Sequence, residues 1–148
     1  MKTSDDIIVY LSDIAFDIVD GLSMFPNEPC VRILIDGMPM VEMVRNYEKK
    51  MLAGTKEASL AGSYWYIHPD ALIKYLESGI HGEEHRIALI GCTCLEEDCW
   101  PLRCSVEKQA HYIIWHDFYQ PHRRQWDYSG FGPFCLKRQQ LLKTLNRL

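Results

Sequence analysis

Four thiols fall within one short run, CTCLEEDCWPLRC, at Cys92, Cys94, Cys99 and Cys104. Thiolate sulfur is a soft ligand that holds zinc at about 2.3 Å, and a tight turn followed by a returning strand brings several sulfurs to one point at little cost in chain. Here the turn would be Leu95 to Asp98. The spacing CxCx4Cx4C departs from two CxxC knuckles separated by a longer loop. Three readings therefore stand side by side: a structural zinc, reduced structural cysteines, and a redox pair. Cys104 alternates with Leu102 and Val106 at the period of a strand, and a buried free cysteine behaves as a small hydrophobe. If Cys104 belongs to the core, a histidine has to complete a four-ligand site. Glu96, Glu97 and Asp98 oppose thiolate formation when no metal is bound, which argues against a reactive redox thiol.

A second chemically dense stretch, rich in turn residues and read as a loop, runs from Trp115 to Phe134, WHDFYQPHRRQWDYSGFGPF. Guanidinium groups grip carboxylates and phosphates bidentately and stack on rings, while imidazoles titrate near neutrality. The candidate binding residues are therefore His116, Asp117, His122, Arg123, Arg124 and Trp126, with a protein or a small anionic ligand as partner. The alternative is a hydrolase or transferase using His116, Asp117 and His122 as acid, base or orienting groups. No GxSxG, HExxH, P-loop or GxGxxG pattern is present to name catalytic residues. A structural explanation competes with both. Phe118, Trp126, Phe131 and Phe134 would pin the stretch to a sheet, and Asp117 and Asp127 would pair with the arginines internally.

These residues need a scaffold, and the hydrophobic pattern predicts an α+β fold: one domain with a mainly antiparallel sheet and about three helices. Ile7 to Tyr10 and Ile14 to Val19 read as strands joined by a turn at Ser12-Asp13. Val31 to Ile35 is a strand closed by Asp36-Gly37, and Pro39 opens a helix reaching Leu52. Ala53 to Ser63 reads as a loop before the apolar run Tyr64 to Ile67. Pro69 starts a second helix that Gly79 ends. Ile87 to Ile90 leads into the cysteines, and Leu102 to Val106 pairs with Tyr112 to Trp115 across a turn at Lys108 to Ala110. A final helix from about Lys137 places Leu141, Leu142, Leu145 and Leu148 on one stripe. The polar stretch His81 to Arg86 is expected at the surface.

At 148 residues, with 47% apolar and 24% charged residues, the chain is long enough for one ordinary core and too hydrophobic for disorder. A net charge of -4 provides no general attraction to phosphate backbones or anionic lipid, so neither nucleic acid nor a membrane is the expected partner. The charge is uneven: residues 1–30 hold six acids and one lysine, whereas 137–148 hold four bases and no acid. Such ends can orient a partner or attract each other. The N-terminal residues lack a basic segment followed by an apolar run, and no later run is long enough to span a bilayer, so a cytoplasmic location with reduced thiols is expected.

The strings IALIGCTCLEEDCWPL, WHDFYQPHR and WDYSGFGPF, with VRILIDGMPMVEMV and LAGSYWYIHPD before them, resemble a family of small bacterial proteins of about this length. The resemblance implies a single bacterial domain and carries no reaction with it. In the family pattern the cysteines correspond to Cys92, Cys94 and Cys99, while the place of Cys104 is an ordinary strand position.

Overall fold

The computed structural model describes residues 10–22, 27–83, 85–96 and 98–148. Strand β1 (Ile14–Asp20) pairs antiparallel with β2 (Pro29–Ile35) over their full lengths. The strand expected over Ile7 to Tyr10 lies, apart from Tyr10, outside the described residues. Asp36 and Gly37 both take positive φ, 51° and 80°, as a two-residue hairpin turn demands when it must match strand twist. They return the chain to the short β3 (Met38–Pro39), which completes a three-stranded sheet.

Pro39 has φ of -61° and sets the entry to α1 (Met40–Met51), one residue inside the expected limits at each end. Met40, Val41, Val44 and Glu48 form its buried face, at the spacing an amphipathic helix requires. A 3-10 turn at Ala58–Leu60 follows, and then β4 (Tyr64–Trp65). Helix α2 (Pro69–His81) is capped by His68, whose Nδ1 accepts from the Asp70 backbone N–H at 3.2 Å. It does not stop at Gly79, as its sequence suggested. That glycine lies inside the helix, and a Cβ on it would stand 3.4 Å from Val106 Cγ2 and 3.5 Å from Ile87 Cγ2. Close helix–sheet approach, and not termination, is its use.

The second sheet has the order β4-β5-β6-β7-β8, antiparallel throughout, formed by β4 with β5 (Arg86–Cys92), β6 (Leu102–Lys108), β7 (Tyr112–Tyr119) and β8 (Phe134–Lys137). Ile87 to Ile90 is buried, and Leu102, Cys104 and Val106 face the core while Arg103, Ser105 and Glu107 do not. Strand β8 was not foreseen. Phe134, Cys135 and Leu136 are all buried, so the segment lacks the alternation that marks a half-exposed strand. Its last residue, Lys137, is where the helix was expected to begin. The helix itself, α3, covers Arg138–Leu145 and buries Leu141 and Leu145. Two isolated bridges, Val31 with Ile67 and Leu11 with Cys135, join the sheets, and one hydrophobic cluster runs through both. No helix among the described residues is long and apolar enough to cross a membrane.

Candidate functional site

Cys92 closes β5 and the chain then curls through Leu95 and Asp98, whose φ values are 64° and 62°. A side chain in this left-handed region costs about 1–2 kcal/mol per residue, so the surrounding contacts impose a tight turn. That turn brings the sulfurs of Cys92, Cys94 and Cys99 within 4.8 Å of one another. Sulfurs sharing one zinc at about 2.3 Å lie no more than about 4.6 Å apart, so the three thiols can hold a metal ion with little adjustment.

The Cys94 backbone N–H reaches Cys92 Sγ at 3.5 Å. Burial pushes the Cys92 thiol up, yet hydrogen bonds from the Cys94 backbone and from the neighbouring thiols and Thr93 hold it below its ordinary range. Cys99 is pushed up to about 12 by its hydrogen bonds to Cys92 and Cys94. One thiol is thus made more acidic and another less so, as expected for sulfurs crowded together. Cys104 is not part of this group. It is fully buried in β6, and burial alone raises its thiol; the strand alternation that made it a natural core residue is what places it there.

The aromatic stretch was expected to be a loop throughout, but β7 continues to Tyr119, so His116 and Asp117 are strand residues. The register shifts between the pairs Ser105–His116 and Arg103–Tyr119, and Asp117 has φ of 51° at the extra residue of this bulge. Adjacent strand residues normally point to opposite faces. The bulge re-aims Asp117 so that its Oδ2 lies 3.0 Å from His116 Nδ1.

Beyond Tyr119 the stretch divides into two sides. On one, Arg123 pairs with Glu57, and Trp126 Nε1 donates to the other oxygen of the same carboxylate at 3.1 Å. The hydrogen bonds from Trp126 and Arg123 hold Glu57 below the usual carboxylate range. His122 Nε2 lies 2.9 Å from the Asp98 carbonyl oxygen, and its ring stacks on Trp100 at 5.9 Å and 7°. Arg123 also lies over Trp100, at 5.3 Å. His122 and Arg123 therefore face the cysteine turn. The internal pairing expected of the arginines with Asp117 and Asp127 is not found. Asp117 meets His116, Asp127 accepts from the Ser129 backbone, and Arg123 goes to Glu57, a residue far away in sequence.

The other side is a cleft of about 730 Å³ lined by Arg86, Ser105, His116, Asp117, Tyr119, Arg124 and Trp126 among others. Arg86, Ser105 and His116 are successive cross-strand partners on β5, β6 and β7, so they form one row on one face. The Tyr119 ring carries the Arg124 guanidinium at 5.0 Å and that of Arg86 at 5.7 Å. Of the candidate residues, His116, Asp117, Arg124 and Trp126 line the cleft, and His122 and Arg123 do not. Arg86 and Ser105 were missed because no local pattern relates them to the stretch after Trp115. The sheet register alone does so.

Tyr128, which lines the cleft, reaches a fully buried carboxylate, that of Glu48. Glu48 on α1 accepts hydrogen bonds from Tyr64 (2.7 Å), Tyr128 and the Gly62 backbone N–H (2.9 Å). Gln120 donates to Tyr64 at 3.1 Å and accepts from the His122 N–H at 3.1 Å. Burial raises the Glu48 carboxyl above its ordinary value, against the pull of these donors. The network anchors both ends of the segment 120–128 to α1 and β4.

Comparison with family models, with curated proteins and with solved structures finds no match to this chain.

Proposed function

We propose that this protein is a cytoplasmic binding module that takes a small anionic ligand, or an acidic side chain of a partner protein, in the cleft under Arg124. Zinc on Cys92, Cys94 and Cys99 would act as a structural brace for the neighbouring turn. The observation that carries the reading is the contrast between two adjacent arginines. Arg123 is neutralised by Glu57, whereas Arg124 stacks on Tyr119 in the cleft and forms no ion pair among the described residues. A guanidinium held flat on a ring at the edge of a cavity keeps its donors for a carboxylate or phosphate. Arg86 adds a second positive charge, and Trp126 and Tyr119 offer aromatic walls for a ring attached to the anion.

The test uses inorganic phosphate and benzoate as probes, followed by amide chemical shifts. Binding should perturb Ser105, His116 and Arg124, and Arg124→Ala should abolish it while moving Tm by no more than a few degrees, equivalent to about 1 kcal/mol or less. Arg123→Ala should instead lower Tm and leave binding in place. Perturbations scattered over the surface, or equal loss in both variants, would refute the reading.

One observation favours a second reading, a hydrolase or transferase: the His116–Asp117 pair lines the cleft beside Ser105. His122 has no part in it, since it faces the cysteine turn. Ester hydrolysis abolished by His116→Ala would favour this reading over simple binding.

A further inference from the structure

We propose that His122 is the fourth ligand of the ion held by Cys92, Cys94 and Cys99, making a Cys3His zinc centre that ties the turn after β5 to the segment after β7. The proposal rests on the reading that the three thiols bind zinc. Structural zinc is four-coordinate and tetrahedral, and sites rich in thiolate are completed by cysteine or histidine. Three sulfurs leave one position, and Cys104, buried in β6, does not supply it.

Two histidines adjoin the turn. His68 shares a small cavity with Cys92, but its Nδ1 accepts the Asp70 N–H as the cap of α2. Ligation through its Nε2 would put a proton on Nδ1 and break that cap. His122 has the opposite disposition. Its Nε2 faces a carbonyl oxygen, that of Asp98, at 2.9 Å. A carbonyl can only accept, so Nε2 carries the proton and the neutral ring keeps its lone pair on Nδ1. A histidine that donates one ring N–H to a backbone carbonyl, leaving the other nitrogen for the metal, has the tautomer that zinc ligands use.

The same ring touches both neighbours of Cys99, bonding to the carbonyl of Asp98 and stacking on the indole of Trp100. Its nitrogens are not among the ligand atoms within 4.8 Å of one another. Both Cys99 and His122 are exposed, and exposed side chains change rotamer on the picosecond to nanosecond scale. Capture of the ion draws them together without disturbing the core. The centre would also explain why an imidazole stands in a segment whose other side lines the cleft.

The experiment is titration of the reduced, metal-free full chain with cobalt(II) and zinc, together with nitrogen-15 spectra of the histidine rings. Thiolate-to-cobalt charge transfer should appear at one ion per chain. On adding zinc, the His122 Nδ1 resonance should shift to a metal-bound position while Nε2 keeps its proton, and His68 should not respond. His122→Ala should weaken zinc binding by at least about 100-fold, more than the 10–100-fold loss typical of an outer-shell partner. Charge transfer with an unmoved His122 resonance and unchanged affinity in His122→Ala would overturn the fourth ligand and leave the zinc thiolate reading intact. A response from His68 in its place would do the same. No charge transfer and no metal uptake would overturn the zinc reading itself, and this proposal with it. The ring spectra are recorded on the unaltered protein, so they decide the matter even if the variant fails to fold.

Discussion

At the scale of single residues, Glu48 sets the hardest condition on the fold. A buried carboxylate is tolerated when hydrogen bonds replace its water, and Tyr64, Tyr128 and the Gly62 N–H do so here. Removing one donor by Tyr128→Phe should cost about 1–3 kcal/mol, seen as a lower urea midpoint. The pH dependence has a definite sign. Because the native carboxyl is raised, the folded state holds more protons than the unfolded state between the ordinary and the raised values. The contribution of Glu48 is therefore complete below the ordinary value and is lost as pH rises through the raised one. Glu57 behaves oppositely: its lowered carboxyl contributes above the ordinary value, and the contribution disappears as pH falls through the lowered one. Glu48→Gln should thus gain on the wild type in relative stability as pH rises above the ordinary carboxyl value. Parallel stability curves for the two proteins would show that Glu48 is not raised in the native state.

At the scale of elements, the bulge in β7 decides where the chemistry points. Without the extra residue, His116 and Asp117 would occupy opposite faces of the sheet, and the cleft would lose one of them. Asp tolerates φ of 51° better than most side chains, and a β-branched residue there is strained. Asp117→Gly should keep the strand register, whereas Asp117→Val should be less stable than the glycine variant by roughly 1–2 kcal/mol. Denaturant titration of the two variants measures this difference directly, and equal midpoints would show that the bulge is not what holds Asp117. The extent of β7 could not be read from the sequence, because HDFYQPHRRQW is rich in residues that also suit turns. Its pairing with β6 carries the strand as far as Tyr119, four residues beyond the apparent end at Trp115.

At the scale of the whole molecule, the basic end of the chain lies beside the first described strand. Helix α3 packs on β1, and Lys137, Lys143 and Arg147 line one groove together with Asp13. This basic cluster is local, and the net charge of the chain is -4. Duplex DNA should therefore not bind at physiological salt. Salt-dependent micromolar binding lost on neutralising Lys137, Arg138, Lys143 and Arg147 together would contradict this. The amino-acid sequence on its own determined the α+β class, the three main helices and most strands, because 3.6- and 2-residue periodicities are local properties of the chain. It also brought Cys92, Cys94 and Cys99 to notice, since a short turn can gather close neighbours. The tertiary structure decided which partners the isolated charges would find. Arg123 found Glu57 across 66 residues, Arg86 and Ser105 entered a row with His116 through strand register, and His122 came to rest against the cysteine turn instead of the cleft. Those pairings depend on how separate elements stack, and no local pattern in a chain encodes the distance between residues that meet only after it has folded.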